Sequence, residues 1–236
     1  ILYSSVGFGG GSTYLALLLI LDIPYYIIPV IALICNIIVV SGNCFNYVKA
    51  GNHNFKLLLP FLIGSIPFSF FGGALYLDKE IFEVLLFLVL SIAGILLLIN
   101  NKSYQDVNII VKKLNIFMSL VIGTILGFIS GVVGIGGGIF LSPILFLLKA
   151  DKPRNITTTA SLFILVNSIS GILGQLTKSI VVNEIYSYMP LFLAVFIGGL
   201  LGNYLNLKIF NSRVLAILTS LLVIFVSLRM SFKIFF

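Results

Sequence analysis

The stretch Gly134-Ile135-Gly136-Gly137-Gly138 stands between two charge-free apolar runs, Leu114–Ser130 and Ile139–Leu148, with Pro143 five residues beyond it. Each glycine costs a helix roughly 1 kcal/mol relative to alanine, so four in five positions interrupt whatever helix reaches them. In a bilayer, broken backbone survives only where protein buries it or a watery cavity solvates it. A break between two apolar runs is therefore a candidate site. The same string opens the chain, where Val6-Gly7-Phe8-Gly9-Gly10-Gly11 matches Val133-Gly134-Ile135-Gly136-Gly137-Gly138 in its valine and every glycine. Two copies predict a repeated architecture.

Composition sets the class. Of 236 residues, 60% are apolar and only 9% charged, against about 25% charged in soluble domains. Several windows run near 20 residues without a charge, the length that crosses roughly 30 Å of hydrocarbon. The expectation is an all-α, polytopic helical membrane protein, multi-pass in the plasma (inner) membrane, with no room for a soluble domain. A net charge of +7 comes from Lys and Arg in loops and reads as topology, not as nucleic-acid binding. Cys35 and Cys44 fall in or at the end of one apolar run, too poor a set for a disulfide framework or a metal site. They read as buried thiols. His53, the single histidine, sits between Asn52 and Asn54 in a loop and reads as solvated. With no His/Glu zinc pattern and no acidic pair inside a span, the chain reads as a non-enzyme without a cofactor.

Charge-free length and punctuation divide the chain. Gly11–Leu21 is a short half-length helix ending at Asp22 and Pro24, and Tyr25–Val48 is a full span closed by a polar loop from Lys49 to Asn54. Phe55–Leu77 follows, with Pro60 and Pro67 as bends and Gly72-Gly73 for close packing. After the turn Asp78-Lys79-Glu80, whose acids suit a helix N-terminus, comes Ile81–Ile99. The second half repeats the scheme: Leu114–Ser130, the glycine break, a short Ile139–Leu148, then Asn155–Thr177, Asn183–Leu207 and Ser212–Lys233. Residues 1–100 form a first repeat, 101–113 the join and 114–236 a second repeat. A helix precedes the second glycine motif but not the first, so a corresponding N-terminal helix is expected to be missing from this chain.

Beyond the glycines the copies stay aligned at a drifting offset, Asn36 with Asn167, Pro60 with Pro190 and Gly72 with Gly202. Positive charges then decide between parallel and inverted repeats. If each glycine break is a turn between two crossings, one side receives Lys49, Lys56, Lys102, Lys112, Lys113, Lys149, Lys152, Arg154, Lys208 and Arg213. The other receives Lys79, Lys178, Arg229 and Lys233. A parallel, four-crossing arrangement splits the same fourteen almost evenly. Cytoplasmic loops carry the excess of Lys and Arg, so inverted repeats are expected, with the richer side inside.

Paired Gly-x-Gly-Gly-Gly motifs, the second followed by Ser142-Pro143, resemble the TauE/SafE family of membrane permeases for sulfur-containing anions. Thr157-Thr158-Thr159-Ala160-Ser161-Leu162 together with Asn167-Ser168-Ile169-Ser170-Gly171 is similar to that family's second-repeat signature. Ala16 stands in the first copy where Pro143 stands in the second, so the first half-helix is less sharply marked. The resemblance covers essentially the whole chain and implies transport of sulfite, organosulfonates or related anions.

The residues themselves suit an anion. In inverted-repeat transporters the half-helices bring their N-termini to the midplane, where free N–H groups and the positive dipole end face the substrate. Gly9, Gly10 and Gly11 in one copy and Gly136, Gly137 and Gly138 in the other would let substrate approach the backbone. Asn36, Asn167, Ser168, Thr158, Thr159 and Ser161 would add neutral donors. Each has a plainer reading too: close packing for the glycines, interhelical hydrogen bonds for Asn36 and Asn167, helix capping for the Ser/Thr cluster and Thr157 most of all. No acid lies inside a span, so no proton relay is expected and the membrane potential would drive an anion outward. A non-transporting scaffold or interaction subunit is the alternative, separable by flux. The partners implied are a small anionic substrate and the lipid bilayer, with oligomeric state, a homodimer included, left open.

Overall fold

The computed structural model describes residues 9–99, 111–178 and 185–206, with 220–221, 224–225, 227–228 and 231. Val6-Gly7-Phe8, most of the 101–113 join and most of Ser212–Lys233 lie outside these described residues. Eight α-helices are defined in the rest: α1 (Gly11–Ile20), α2 (Ile28–Lys49), α3 (Phe55–Ala74), α4 (Lys79–Ile99), α5 (Ile116–Val133), α6 (Gly138–Leu147), α7 (Pro153–Gln175) and α8 (Met189–Asn206). Among the described residues five segments are long and apolar enough to cross a membrane, and the protein is a polytopic helical membrane protein.

Local chemistry sets most ends. The Asn54 side chain accepts from the Leu57 N–H at 3.1 Å to start α3, and Asn115 accepts from Phe117 at 2.9 Å to start α5. Two expected starts move. Pro153 opens α7 two residues before the expected Asn155, because proline's fixed φ suits a first turn that needs no N–H. Thr157 is therefore no cap; its hydroxyl donates to the Pro153 carbonyl one turn back, at 3.1 Å. Within the expected Asn183–Leu207 span, the described residues form instead a 3₁₀ turn, Ile185–Tyr188, and α8 with Pro190 in its first turn. His53 is exposed, while Cys35 and Cys44 are free and buried.

The centre of the molecule is a seam of small residues on α3, α5 and α7. In lipid, helices gain little from apolar burial and associate by close packing and interhelical hydrogen bonds. Gly123, Gly127 and Gly131 of α5 lie against the carbonyls of Phe61, Ser65 and Ser69, while Gly64 and Gly72 of α3 lie against those of Leu120 and Phe128. Gly73 of α3 meets the Gly171 carbonyl of α7, and Gly174 of α7 meets that of Phe70, as the Gly72-Gly73 pair predicts. Hydrogen bonds cross the same seam: Ser69 Oγ donates to the Asn167 carbonyl at 2.8 Å and Ser170 Oγ to that of Ile66 at 2.7 Å. Outside it, α2 is two-thirds buried whereas the α8 span is 17% buried and turns an apolar face outward.

Contacts between helix ends place the chain's turns. The Lys112 N–H donates to the Lys149 carbonyl at 2.9 Å, and Asn54 Nδ2 donates to Asp151 Oδ2 at 2.7 Å. The starts of α3, α5 and α7 and the end of α6 thus share one end of the bundle. Since α5 begins and α6 finishes there, the chain reverses within the glycine break. At the opposite end, Tyr25, Tyr26 and Pro29 before and in α2, Tyr76 after α3 and Phe82 of α4 surround a cavity of about 230 Å³. Gln175 and Lys178 close it at the end of α7.

Candidate functional site

Both short helices start on a left-handed glycine. Gly10 (φ 85°) is the N-cap of α1 and Gly137 (φ 75°) that of α6, and neither helix receives a side-chain cap. Only glycine holds such a φ without strain. The match continues to the far ends. Asp22 and Lys149 both adopt positive φ, 53° and 50°. Ile23 and Asp22 donate back to Leu18 and Leu19, as Ala150 and Lys149 donate to Leu145 and Phe146. Every one of these pairs is separated by the interval that relates Gly10 to Gly137. Ten residues give each half-helix about 15 Å, half of the hydrocarbon thickness.

The two starts meet. A Cβ built on Gly11 would lie 2.6 Å from the Ile135 carbonyl oxygen and 2.9 Å from Asn36 Nδ2. Asn36, fully buried on α2, donates through Nδ2 to the carbonyls of Ile135 (3.1 Å) and Gly134 (3.4 Å). A Cβ on Gly9 would strike Asn36 Oδ1 at 2.5 Å, and one on Gly136 would sit 3.0 Å from Asn36 Nδ2 and 3.1 Å from Ser168 Oγ. One carboxamide thus touches both glycine segments. Gly138 packs on Ile164 and the Ala160 carbonyl, and Gly137 on the Phe163 ring, all on α7.

The site is neutral. Among the described residues Asp151, at the lysine-rich end, is the single charged side chain that is buried. Positive potential here comes from the uncapped N–H groups of α1 and α6, about half a unit charge per helix N-terminus. Beside them stand two buried polar atoms with no hydrogen-bond partner, Asn36 Oδ1 and Ser168 Oγ, and Asn167 Oδ1, next to Ser168 in sequence, also lacks one. An orphaned buried polar group costs about 1–3 kcal/mol, and native structures keep few of them.

Of the expected site residues, Gly9, Gly11, Gly136, Asn36 and Ser168 are brought into one cluster, with Gly10, Gly137 and Gly138 framing it as caps and first helical residues. Asn167 is its neighbour on α7 and spends Nδ2 on the Phe163 carbonyl at 2.9 Å. Thr158, Thr159 and Ser161 are buried nearer the start of α7. Thr158 bonds back to the Arg154 carbonyl at 3.0 Å, whereas Thr159 Oγ1 has no partner. Ten residues separate Thr158 from Ser168, about 15 Å of helix. Sequence reasoning passed over Thr13, Ser130, Ser142 and Asn43, each with buried polar atoms that lack partners. For Asn43 a signal existed, since Asn36 and Asn43 are seven apart and share one face of α2.

Residues 1–230 match the family described as Sulfite exporter TauE/SafE. The chain belongs to that family. Full-length similarity extends to "Probable membrane transporter protein y4hK" of Sinorhizobium fredii, 25% identical over 97% of this chain and 92% of the relative. "Probable membrane transporter protein YunE" of Bacillus subtilis is also 25% identical, over 94% of this chain and 89% of its own. "Probable membrane transporter protein MJ0441" of Methanocaldococcus jannaschii is 30% identical over 70% of this chain and 62% of the relative. No solved structure matches. This TauE/SafE chain is accordingly a membrane transporter. It carries its two glycine motifs in contact with one buried asparagine.

Proposed function

We propose that this transporter exports small sulfur-containing anions, sulfite or an organosulfonate, held where α1 and α6 begin. The observation that carries the reading is the meeting of two uncapped helix N-termini at Asn36, beside Ser168 Oγ, which has no hydrogen-bond partner. Helix starts without a side-chain cap, and neutral donors, suit an oxyanion. With no lysine or arginine in the cluster, the anion is held by dipoles and released readily. The substrate class and the direction rest on the family name and on the sign of the membrane potential.

Inverted repeats fit the same geometry. α1 rests on α2 as α6 rests on α7, and α2 packs on α8 as α7 packs on α3. The positive-inside rule assigns the Lys112 and Lys149 end to the cytoplasm and the aromatic cavity to the outside. α1 and α6 then approach the bilayer centre from opposite faces of the plasma membrane.

Flux in proteoliposomes tests the proposal. Wild-type protein is expected to pass sulfite and methanesulfonate. Gly137→Leu should insert but not transport, because the added side chain meets the Phe163 ring at a left-handed φ. Ser168→Ala, which removes one orphan hydroxyl, should raise the half-saturating concentration about tenfold, equivalent to about 1.4 kcal/mol. Leu147→Ala, at a residue 58% exposed, should change neither. Absence of flux with every anion tried would sink the transport reading and favour a scaffold.

A further inference from the structure

We propose that the cavity at the cavity-bearing end of α7 is a second anion site, a mouth where Lys178 and an aromatic wall hold an organic anion before or after it reaches the glycine breaks. The anion favoured is one with a charged head and an apolar body. The proposal rests on the transport reading for its place in the path, though not for the binding itself.

Three observations converge there. Lys178 is half-buried, its Nζ bonded to Gln175 Oε1 at 3.0 Å and set 5.4 Å from the centre of the Tyr76 ring. No carboxylate pairs with it among the described residues; the nearest acids in sequence to the cavity wall, Asp78, Glu80 and Glu83, are not among the lining residues. Within the described residues, the ammonium thus meets an amide and a ring and no carboxylate, which suits an anionic ligand.

The remaining wall is aromatic and aliphatic. Tyr25 and Tyr26 stand edge to face, ring centres 5.8 Å apart, with Phe82 6.0 Å from Tyr25. A cavity of about 230 Å³ is many times the 10–15 Å³ that a single water needs. That space exceeds what a bare oxyanion fills and suits a ring or short chain. The third observation is continuity. Gln175, almost fully buried, donates Nε2 to the Gly131 carbonyl at 3.0 Å, one turn before the break. On the other side of the cavity, Pro29 backbone lies 2.6 Å from where a Gly134 Cβ would stand. The cavity floor is therefore the flank of the second glycine segment.

Burial pushes the Lys178 ammonium down to about 8. It is mostly charged at pH 7 and loses its charge as pH rises through that value, well before an ordinary lysine at about 10.4. Among the described residues, the other titratable groups lining the cavity are Tyr25, Tyr26 and Tyr76. Anion affinity at the mouth should fall with the deprotonation of Lys178.

Titration calorimetry on the full chain in detergent, with benzenesulfonate and methanesulfonate as probes, tests this. Lys178→Met should weaken both probes at least fivefold at pH 7, with Lys178→Arg retaining affinity. Tyr76→Ala should weaken benzenesulfonate alone. Raising the pH from 7 to 9.5 should weaken wild-type binding and leave Lys178→Met unchanged, a readout that needs no variant to fold differently. Unchanged affinity in Lys178→Met, or a wild type that prefers methanesulfonate, overturns the mouth site. Vesicles that pass no anion while binding still depends on Lys178 would instead fell the transport reading and leave the mouth site standing. Flux with binding indifferent to Lys178 does the reverse.

Discussion

Gly11 and Gly51 separate two reasons for glycine. Gly11 has an ordinary helical φ, and its constraint is space, since a Cβ would meet the Ile135 carbonyl at 2.6 Å. Gly51, in the loop after α2, has φ 73° and nothing within 4 Å of its would-be Cβ. Gly11→Ala should force the two glycine segments apart and cut flux at least tenfold. Gly51→Ala should cost about 1–2 kcal/mol of backbone strain, read as a lower thermal midpoint in detergent, with flux per folded molecule unchanged. Equal flux loss in both variants would remove the special standing of the contact at Asn36. That the helices break at glycines 9–11 and 136–138 was legible in the sequence, because glycine marks broken helix wherever it clusters. That Asn36 touches both was not, since nothing near residue 36 names residues 98 and 99 positions away.

Among elements, α5 shows what apolar length conceals. Read as a span it is simply long enough; read as Gly123-x-x-x-Gly127-x-x-x-Gly131 it presents one bare face to α3. Gly127→Leu drives a side chain into the Ser65 backbone, an overpacking that costs about 1–3 kcal/mol. A lower midpoint in detergent checks it, and the loss should exceed that from Ile125→Leu on the exposed face of α5. The helices themselves were legible to within a few residues through Pro, Gly and Asn. The shifted start of α7 was not, because Pro153 and Thr157 both make plausible starts and proline's fixed φ wins. The position of Thr158, Thr159 and Ser161 relative to the glycine segments depends on how α7 packs, which composition does not encode.

Across the whole molecule, the described acids stay at helix ends or in loops: Asp22, Asp78, Glu80, Glu83 and Asp151. An anion leaving an inside-negative cell gains about 2.3 kcal/mol per charge per 100 mV, enough to drive export without a relay. Flux into liposomes under a potassium–valinomycin potential should follow the potential and ignore a pH step once substrate protonation is corrected. Flux that follows the pH step alone would reveal a relay. The seam between helices carries a different consequence. α3 packs on α5 and α7, and α2 on α7 and α8, far more than either packs within its own half. Each half of the chain is therefore the other half's interior. Neither is expected to fold alone, yet two separately translated pieces, cut between Ile99 and Val111, should find one another in the membrane and restore flux.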